Sequence, residues 1–465
     1  MGSFYVENFG CRATQADGAA IEHQFQERGL ERADTFCEAE IVVVNTCTVT
    51  AAADQDARAA IRRIHRENPN CQIVVTGCYA QRAPEEIAAL PGVARVIGNS
   101  HKHHLAEIAS RSFVPITQLK KQNADESSIF VSDVFAHTEL LAAPVFDAAN
   151  ERTRPNLKVQ DGCDNRCSFC VIPYVRGNSR SLPLSRILEE VNSLVDGGYR
   201  EVVISGINLG RWGRDFTVAA ERKTLSDLIR AIIQHTSLEK LRISSVEPMD
   251  WTDELIQLVA NSTRIAKHAH VPMQSGSDRI LRKMHRKYRP WHYREKIEKI
   301  RAAMPNAAIG ADVMVGFPGE SDAEFDQTRR MVEQLPFTYL HVFTYSARPG
   351  TPAASMCDQI PIRIARERNR VLRELAAQKK LDFMRSLVGE SLEAITLKAC
   401  GDARGIPGSS AALTEALTDN YLKLRLNQDL PPNRWLSARV ESVRDGILHG
   451  EALSPAAQLT RYNRS

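Results

Sequence analysis

GCDNRCSFC, residues 162–170, follows directly on the apolar run NLKVQ (residues 156–160) and places Cys163, Cys167 and Cys170 on one short loop. The CxxxCxxC spacing gathers three soft thiolates where a strand ends, and soft thiolates select iron–sulfur clusters or zinc. An iron–sulfur cube takes one thiolate per iron, so three ligands leave one iron with an open coordination position. Structural zinc is the alternative. It needs a fourth ligand and is commonly built from two separated pairs, and no second CxxC pair occurs in the chain.

Outward from this loop, strand-like and helix-like segments alternate. NLKVQ is followed by REVVISG (200–206), LRISSVEP (241–248), HAHVPMQ (268–274), AIGADVMVG (308–316) and TYLHVFTYS (338–346). Helical patterns fall between them at Ser185 to Asp196, Thr224 to His235, Asp253 to Asn261, Asp278 onward and Asp322 to Gln334. Six such units predict an open (βα)6 partial barrel with its cleft at the strand C-termini, rather than a complete eightfold one. Upstream, FYVEN, IVVVN, QIVVTG and ARVIG alternate with helices at Gln15 to Arg28, Ala51 to Arg66 and Ala83 to Leu90, which predicts an open parallel α/β sheet over residues 1–108. Residues 109–150 lose the alternation and read as a linker. The barrel and a basic connecting helix then occupy 151–385, and short strands separated by Gly, Pro, Asn and Asp predict a small antiparallel β-barrel over 386–460.

In the first domain, Cys11, Cys47 and Cys78 each stand immediately after an apolar strand, in NFGCRAT, VVVNTCTVT and IVVTGCYA. Loops at the carboxyl ends of parallel strands share one edge, so these three converge and predict a second three-cysteine site. Cys37, Cys71, Cys357 and Cys400 have no such repeated setting and read as packing or incidental positions. Ten cysteines in 465 residues is too few for a disulfide scaffold. No apolar run approaches the roughly 20 residues that span a bilayer. The N-terminus lacks a signal-peptide pattern, and the expected location is cytoplasmic without a membrane partner. Net charge is only +4, so any affinity for nucleic acid must come from local basic faces.

The CxxxCxxC loop followed by six strand–helix units resembles the radical S-adenosylmethionine superfamily, with Phe169 at its usual aromatic position. With the N-terminal three-cysteine domain and the terminal barrel, essentially the whole chain resembles the methylthiotransferases. The phrases VVNTCTVT, VVTGCYAQ, FCVIPYVRGNSRS, LRISSVEP and VPMQSGSDRILRKMHRKY resemble most the branch that modifies N6-threonylcarbamoyladenosine at position 37 of tRNA, giving its 2-methylthio derivative. The resemblance implies two 4Fe-4S clusters. Cys163, Cys167 and Cys170 would hold the radical-generating one, and Cys11, Cys47 and Cys78 the auxiliary one that handles sulfur. It also implies S-adenosylmethionine, a reducing electron donor such as flavodoxin or ferredoxin, a sulfur source and the tRNA anticodon loop as partners. Thr14, in GCRATQADG, departs from the Asn that relatives often carry and puts local hydrogen bonding around Cys11 in question. The cofactor pocket is expected at strand ends marked by Gly206, Asn208, Glu247, Gln274 and Gly316, together with Phe169.

The terminal barrel resembles the TRAM module, an RNA-binding fold. The segment Pro361 to Arg385 beside it carries eight cations against three anions and is expected to track phosphates. A second basic stretch, Arg282 to Arg289 with Tyr288, is a candidate contact to the anticodon stem or a stacked loop base, scaffold packing being its alternative. Arg176 or Arg180 is a candidate bidentate anchor for the threonylcarbamoyl carboxylate, with packing or phosphate binding as the equal alternative. Competing functions are the same chemistry on isopentenyladenosine tRNA or on a ribosomal-protein aspartate, and a non-enzymatic iron–sulfur sensor that binds RNA.

Overall fold

Ile41–Thr46 is buried at every position, as a β-branched run must be when helices cover both faces of a parallel sheet. The computed structural model describes residues 2–110, 128–136, 140, 154–218, 222–397 and 414–453. The first layer is a six-stranded, wholly parallel sheet of β1 (Ser3–Asn8), β2 (Glu31–Arg32), β3 (Ile41–Thr46), β4 (Gln72–Gly77), β5 (Val93–Ile97) and β6 (Ser128–Phe130). Its order is β2-β1-β3-β4-β5-β6. The edge strand β2 is too short and polar to announce itself, and β6, only three residues long, comes from the stretch expected to be linker.

The central layer contains β7 (Asn156–Asp161), β8 (Arg180–Ser181), β9 (Glu201–Gly206), β10 (Lys240–Ile243), β11 (His268–His270), β12 (Ala308–Val315) and β13 (Tyr339–Thr344). β10-β9-β7-β8 and β11-β12-β13 form two ladders, joined between β10 and the β11 region by the single bridges Leu241–Ile265 and Ser245–His270. Six parallel strands thus form the expected open barrel. One strand was not expected: β8 runs antiparallel to β7 because the chain leaves the cysteine loop and returns along the same edge. The helix Arg12–Glu27 of the first layer packs against β7, and the helix Ile362–Ser386 packs against β13, so the barrel's open side is flanked from both directions.

The last layer is a closed five-stranded barrel of β14 (Ser391–Thr396), β15 (Thr414–Thr418), β16 (Lys423–Leu426), β17 (Trp435–Arg444) and β18 (Ile447–Ala452). Closure removes the exposed edges of so small a sheet. The expected barrel was purely antiparallel; β16 and β18 in fact pair parallel. It docks at the N-terminal ends of the central strands, opposite the cysteine loops. Arg242 Nη1 donates to the Asp419 carbonyl at 2.9 Å, Asn433 Nδ2 to the Gly198 carbonyl at 2.8 Å, and the Lys240 ammonium lies 4.8 Å from the Trp435 ring centre.

First and central layers are joined by a buried charge network. Asp17 accepts from Lys102 Nζ at 2.9 Å, from Arg176 Nη2 at 3.0 Å and from Lys158; Asp161 accepts from Lys158 at 2.8 Å and from Arg176 Nη1 at 2.9 and 3.0 Å. Burial opposes ionisation of Asp17, but Lys102, Lys158 and Arg176 outweigh it and hold the carboxyl well below the usual range. Asp161 is held low in the same way by Arg176 and Lys158. A carboxyl depressed in the fold stabilises above its ordinary pKa, so both carboxylates are ionised at neutral pH. Removing one partner strands the others, and Asp17→Asn is expected to cost about 3–5 kcal/mol. Urea midpoints should show the same loss at pH 6 and pH 8, shrinking only below about pH 4, where the carboxyl of the unfolded wild-type chain takes up a proton while the folded one stays ionised.

Candidate metal centres

The strand order of the first sheet reverses beside β1, where the chain steps out to β2 and then back across to β3. Loops diverge at such a switch point and leave a crevice at the carboxyl ends of the strands. Cys11 follows β1, Cys47 follows β3 and Cys78 follows the neighbouring β4, so all three stand at this crevice. Gly10 has φ +106°, and a Cβ there would lie 2.5 Å from Cys47 Cβ and 2.9 Å from its sulfur. Only glycine lets the Cys11 loop come so close. Gly77, at φ +98°, does the same for Cys78, since a Cβ would lie 2.2 Å from the Thr46 carbonyl.

Cys47 and Cys78 are buried and Cys11 is exposed. Burial, then repulsion from Cys78 and Cys11, pushes the Cys47 thiol up to about 12. Cys78 Sγ accepts from Asn99 Nδ2 at 3.6 Å, and Thr14 Oγ1 lies 3.6 Å from Cys11 Sγ. The threonine that stands in place of asparagine therefore still reaches the sulfur. Among the other cysteines, Cys37 and Cys357 are exposed and Cys71 donates to the Asn68 carbonyl at 3.1 Å. Cys400 lies outside the described residues.

The loop of Cys163, Cys167 and Cys170 is pinned to the barrel through Ser168. Its N–H donates to the Met284 carbonyl at 3.1 Å, its hydroxyl to the Lys283 carbonyl at 2.7 Å, and its carbonyl accepts from Ala353 N–H at 2.8 Å. Asn208 Nδ2 donates to Cys163 Sγ at 3.7 Å, leaving its buried Oδ1 without a partner. Arg286 Nη1 donates to Cys167 Sγ at 3.2 Å while Nη2 pairs with Glu247. Burial, then repulsion from Cys167, pushes the Cys170 thiol up to about 12. Phe169 meets Phe317 edge to face, 6.4 Å between centres. Gly206, Asn208, Glu247, Gln274 and Gly316 lie at or just beyond the C-terminal ends of β9, β10, β11 and β12, on one rim with these cysteines. Gln274 holds a left-handed backbone, φ +62°, a strain that recurs at ligand sites.

Between the two cysteine sites is a cavity of about 250 Å³, lined by Thr50, Phe169, Cys170, Gln274, Asp312 and Phe343 among others. Thr50 is three residues beyond Cys47, so the cavity is bounded in part by the loop that follows that cysteine. Asp312, from its lining, brings a ligand atom within 4.8 Å of those of His270 and His341, the one such trio among the described residues. Neither cysteine trio is so tight. One zinc with Zn–S bonds of about 2.3 Å would need its sulfurs roughly 3.8 Å apart, so the wider spread suits a multi-iron cube. Three thiolates with no fourth protein ligand grouped with them among the described residues fit a cluster that keeps one iron open.

Several expected contacts are corrected. Arg176 is buried, and both its terminal nitrogens are taken by Asp17 and Asp161, so it is a structural cation and not a substrate anchor. Arg180, half-buried on β8, adds its charge to the Asp161 environment. In the stretch Arg282 to Arg289, Arg282 and Arg289 pair with Asp278, Lys283 pairs with Asp358, and Arg286 faces the cysteine loop. Tyr288 is buried, its hydroxyl donating to the Met273 carbonyl at 2.7 Å, and is not a stacking platform. On the helix Ile362–Ser386, Arg368 is buried against Glu320, and Arg370 pairs with Glu367 and Glu374. Arg363, Arg366, Arg373 and Lys380 are exposed, with no carboxylate partner among the described residues.

Comparison with known proteins places this geometry. Residues 157–332 match the model of the Radical SAM superfamily, and residues 3–98 match one described as "Uncharacterized protein family UPF0004". The fold is similar to that of the radical S-adenosylmethionine methyltransferase TsrM from Kitasatospora setae, at TM-score 0.54 and 16% identity, covering 76% of this chain and 74% of that one. The central domain therefore has the fold of the radical S-adenosylmethionine enzymes. Among curated relatives, the threonylcarbamoyladenosine tRNA methylthiotransferase MtaB of Bacillus subtilis is 36% identical over 425 residues, 91% of this chain and 90% of the relative. A tRNA-2-methylthio-N(6)-dimethylallyladenosine synthase of Zymomonas mobilis is 34% identical over 393 residues, 83% of this chain and 84% of the relative. The chain belongs to the radical S-adenosylmethionine tRNA methylthiotransferase family.

Arg286, hidden in the sequence among neighbouring cations, neutralises charge beside Cys167. Removing that cation disfavours the more negative, reduced state of a cluster held there. Arg286→Gln is expected to lower the midpoint potential in an EPR-monitored redox titration and to slow 5′-deoxyadenosine formation.

Proposed function

We propose that this protein adds a methylthio group at C2 of N6-threonylcarbamoyladenosine at position 37 of tRNA, with Cys163, Cys167 and Cys170 holding one 4Fe-4S cluster and Cys11, Cys47 and Cys78 a second. The observation that carries this reading is the cavity bounded by Cys170 on one side and by the loop after Cys47 on the other. When bound, the first cluster with S-adenosylmethionine supplies a radical able to activate C2, and the second supplies sulfur.

The chain's own residues prepare the site. Glu247 and Arg286 fix each other beside Cys167, and Asn208 offers a buried acceptor toward the rim where the cofactor's amino group would lie. Phe169 and Phe343 make part of the cavity apolar and limit water, while Gln274 and Asp312 provide polar groups to orient a base. A duplex cannot present a base there; a loop nucleotide splayed out of its stack can. Arg363, Arg366, Arg373 and Lys380 would follow the phosphates, Arg180 remains the candidate for the threonylcarbamoyl carboxylate, and the terminal barrel serves as a TRAM-like RNA-binding module. A flavodoxin or ferredoxin in the cytoplasm would deliver the electron.

The Zymomonas relative favours isopentenyladenosine tRNA as the second reading. Anaerobically reconstituted enzyme is therefore offered tRNA bearing either base, and nucleosides are read by mass spectrometry. The expected result is a 2-methylthio product from the threonylcarbamoyl substrate alone; a product only from the isopentenyl substrate, or from neither, overturns the assignment. Alanine at Cys11, Cys47 and Cys78 together should remove about half the bound iron and abolish that product while 5′-deoxyadenosine still forms. Alanine at Cys163, Cys167 and Cys170 should abolish both.

A further inference from the structure

Tyr421 occupies the turn between β15 and β16 with φ +70°, a conformation that persists in a non-glycine residue only where its surroundings over-determine it. Thr418 closes that turn: its hydroxyl accepts from Leu422 N–H at 2.8 Å and donates to Asn420 Oδ1 at 2.6 Å. The phenol ring leaves its own barrel and enters the N-terminal opening of the central one, 5.0 Å from the His268 ring and 6.3 Å from that of Tyr339. Three guanidiniums surround it, with Arg12 at 5.8 Å, Arg154 at 5.9 Å and Arg242 at 5.4 Å from the ring centre. One side chain of the last layer is thus gripped by both other layers.

The three arginines are not equivalent. Arg242 is also held by Glu201 at 2.5 Å and by the Asp419 carbonyl, and Arg154 lies 3.9 Å from Glu201. Arg12 has no carboxylate partner among the described residues, and its guanidinium donates to the Tyr421 hydroxyl at 3.0 Å. Its backbone carbonyl accepts from Asn156 Nδ2 at 2.8 Å. Arg12 opens the helix Arg12–Glu27 and directly follows Cys11, the exposed member of its trio, which sits on a loop that turns at Gly10. Cys47 and Cys78 are held by the sheet rim itself. Cys11 is the N-cap of that helix, its carbonyl accepting from Gln15 N–H at 3.1 Å, and it lies next to Arg12 in the chain.

We infer that Tyr421 is a positioning residue for the second cysteine site, fixing Cys11 through Arg12, so that this site is complete only when the C-terminal barrel is docked. The inference rests on the reading that Cys11, Cys47 and Cys78 hold a cluster. Its physical content is that an aromatic ring and one hydroxyl convert an exposed loop cysteine into a preorganised ligand.

The test uses the full chain, anaerobically reconstituted, as wild type, Tyr421→Ala, Tyr421→Phe, Arg12→Gln and Cys11→Ala. Iron content, Mössbauer spectra and the rate of iron release to a chelator are read alongside 5′-deoxyadenosine formation. Tyr421→Ala and Arg12→Gln are expected to release iron from one cluster several-fold faster than wild type, with 5′-deoxyadenosine formation retained. Tyr421→Phe, which keeps the ring and loses the hydroxyl, should fall between. Wild-type release in folded Tyr421→Ala overturns the inference; if that variant does not fold, wild-type release in both Tyr421→Phe and Arg12→Gln overturns it. Unchanged iron in Cys11→Ala instead overturns the two-cluster reading beneath it.

Discussion

Two carboxylates buried beneath three cations decide how this molecule is assembled. Asp17 lies six residues beyond Cys11, and Asp161 two residues before Cys163. Lys158 and Arg176 bind both, and Lys102 completes the charge on Asp17. Buried pairs add little net stability once desolvation is counted, but a broken one is expensive. The network therefore acts by excluding other dockings: a first layer shifted along β7 would leave bare charge in the interior. The separation of the two cysteine sites follows from this register.

Parallel sheets supply the rest of the arrangement. Every loop at a strand's carboxyl end emerges on the same side, so three loops of the first sheet and five of the central barrel each deliver side chains to a common rim. Two rims held face to face enclose a cavity whose walls are part apolar, part polar. The opposite end of the central barrel, where strands begin, takes the C-terminal barrel and its inserted Tyr421. The cysteine loops and the C-terminal barrel thus lie at opposite ends of the central strands, and Arg12, next to Cys11, reaches Tyr421 of that barrel.

Much of this was legible along the chain. β-branched runs such as Ile41–Val44 and Ile73–Val75 read as buried strands because few other structures accommodate them, and three cysteines at identical strand exits implied convergence before any coordinates. β2, β6 and β8, two or three residues each, were too short to carry such a pattern, since they pair only because a longer neighbour presents an open edge. Charge was the least legible property. Arg176, Arg286 and Arg368 looked like candidates for anions in solution, yet each faces inward onto carboxylates or a cysteine sulfur. A run of cations states how many charges there are, and not which way the backbone will turn them. Tyr288 misled for the same reason: an aromatic beside cations suggests a stacking surface until its burial is known.

The amino-acid order alone determined the layers, their sequence along the chain, and where six cysteines stand relative to the strands, because strand periodicity and cysteine spacing are local properties that the backbone transmits without help. Tertiary structure alone decided what surrounds those cysteines: the Arg286 bridge to Cys167 and Glu247, the buried network under Arg176, and the grip on Tyr421. Each joins residues dozens to hundreds of positions apart, and attraction between such groups acts over a few ångströms, a range that exists only after the chain has closed.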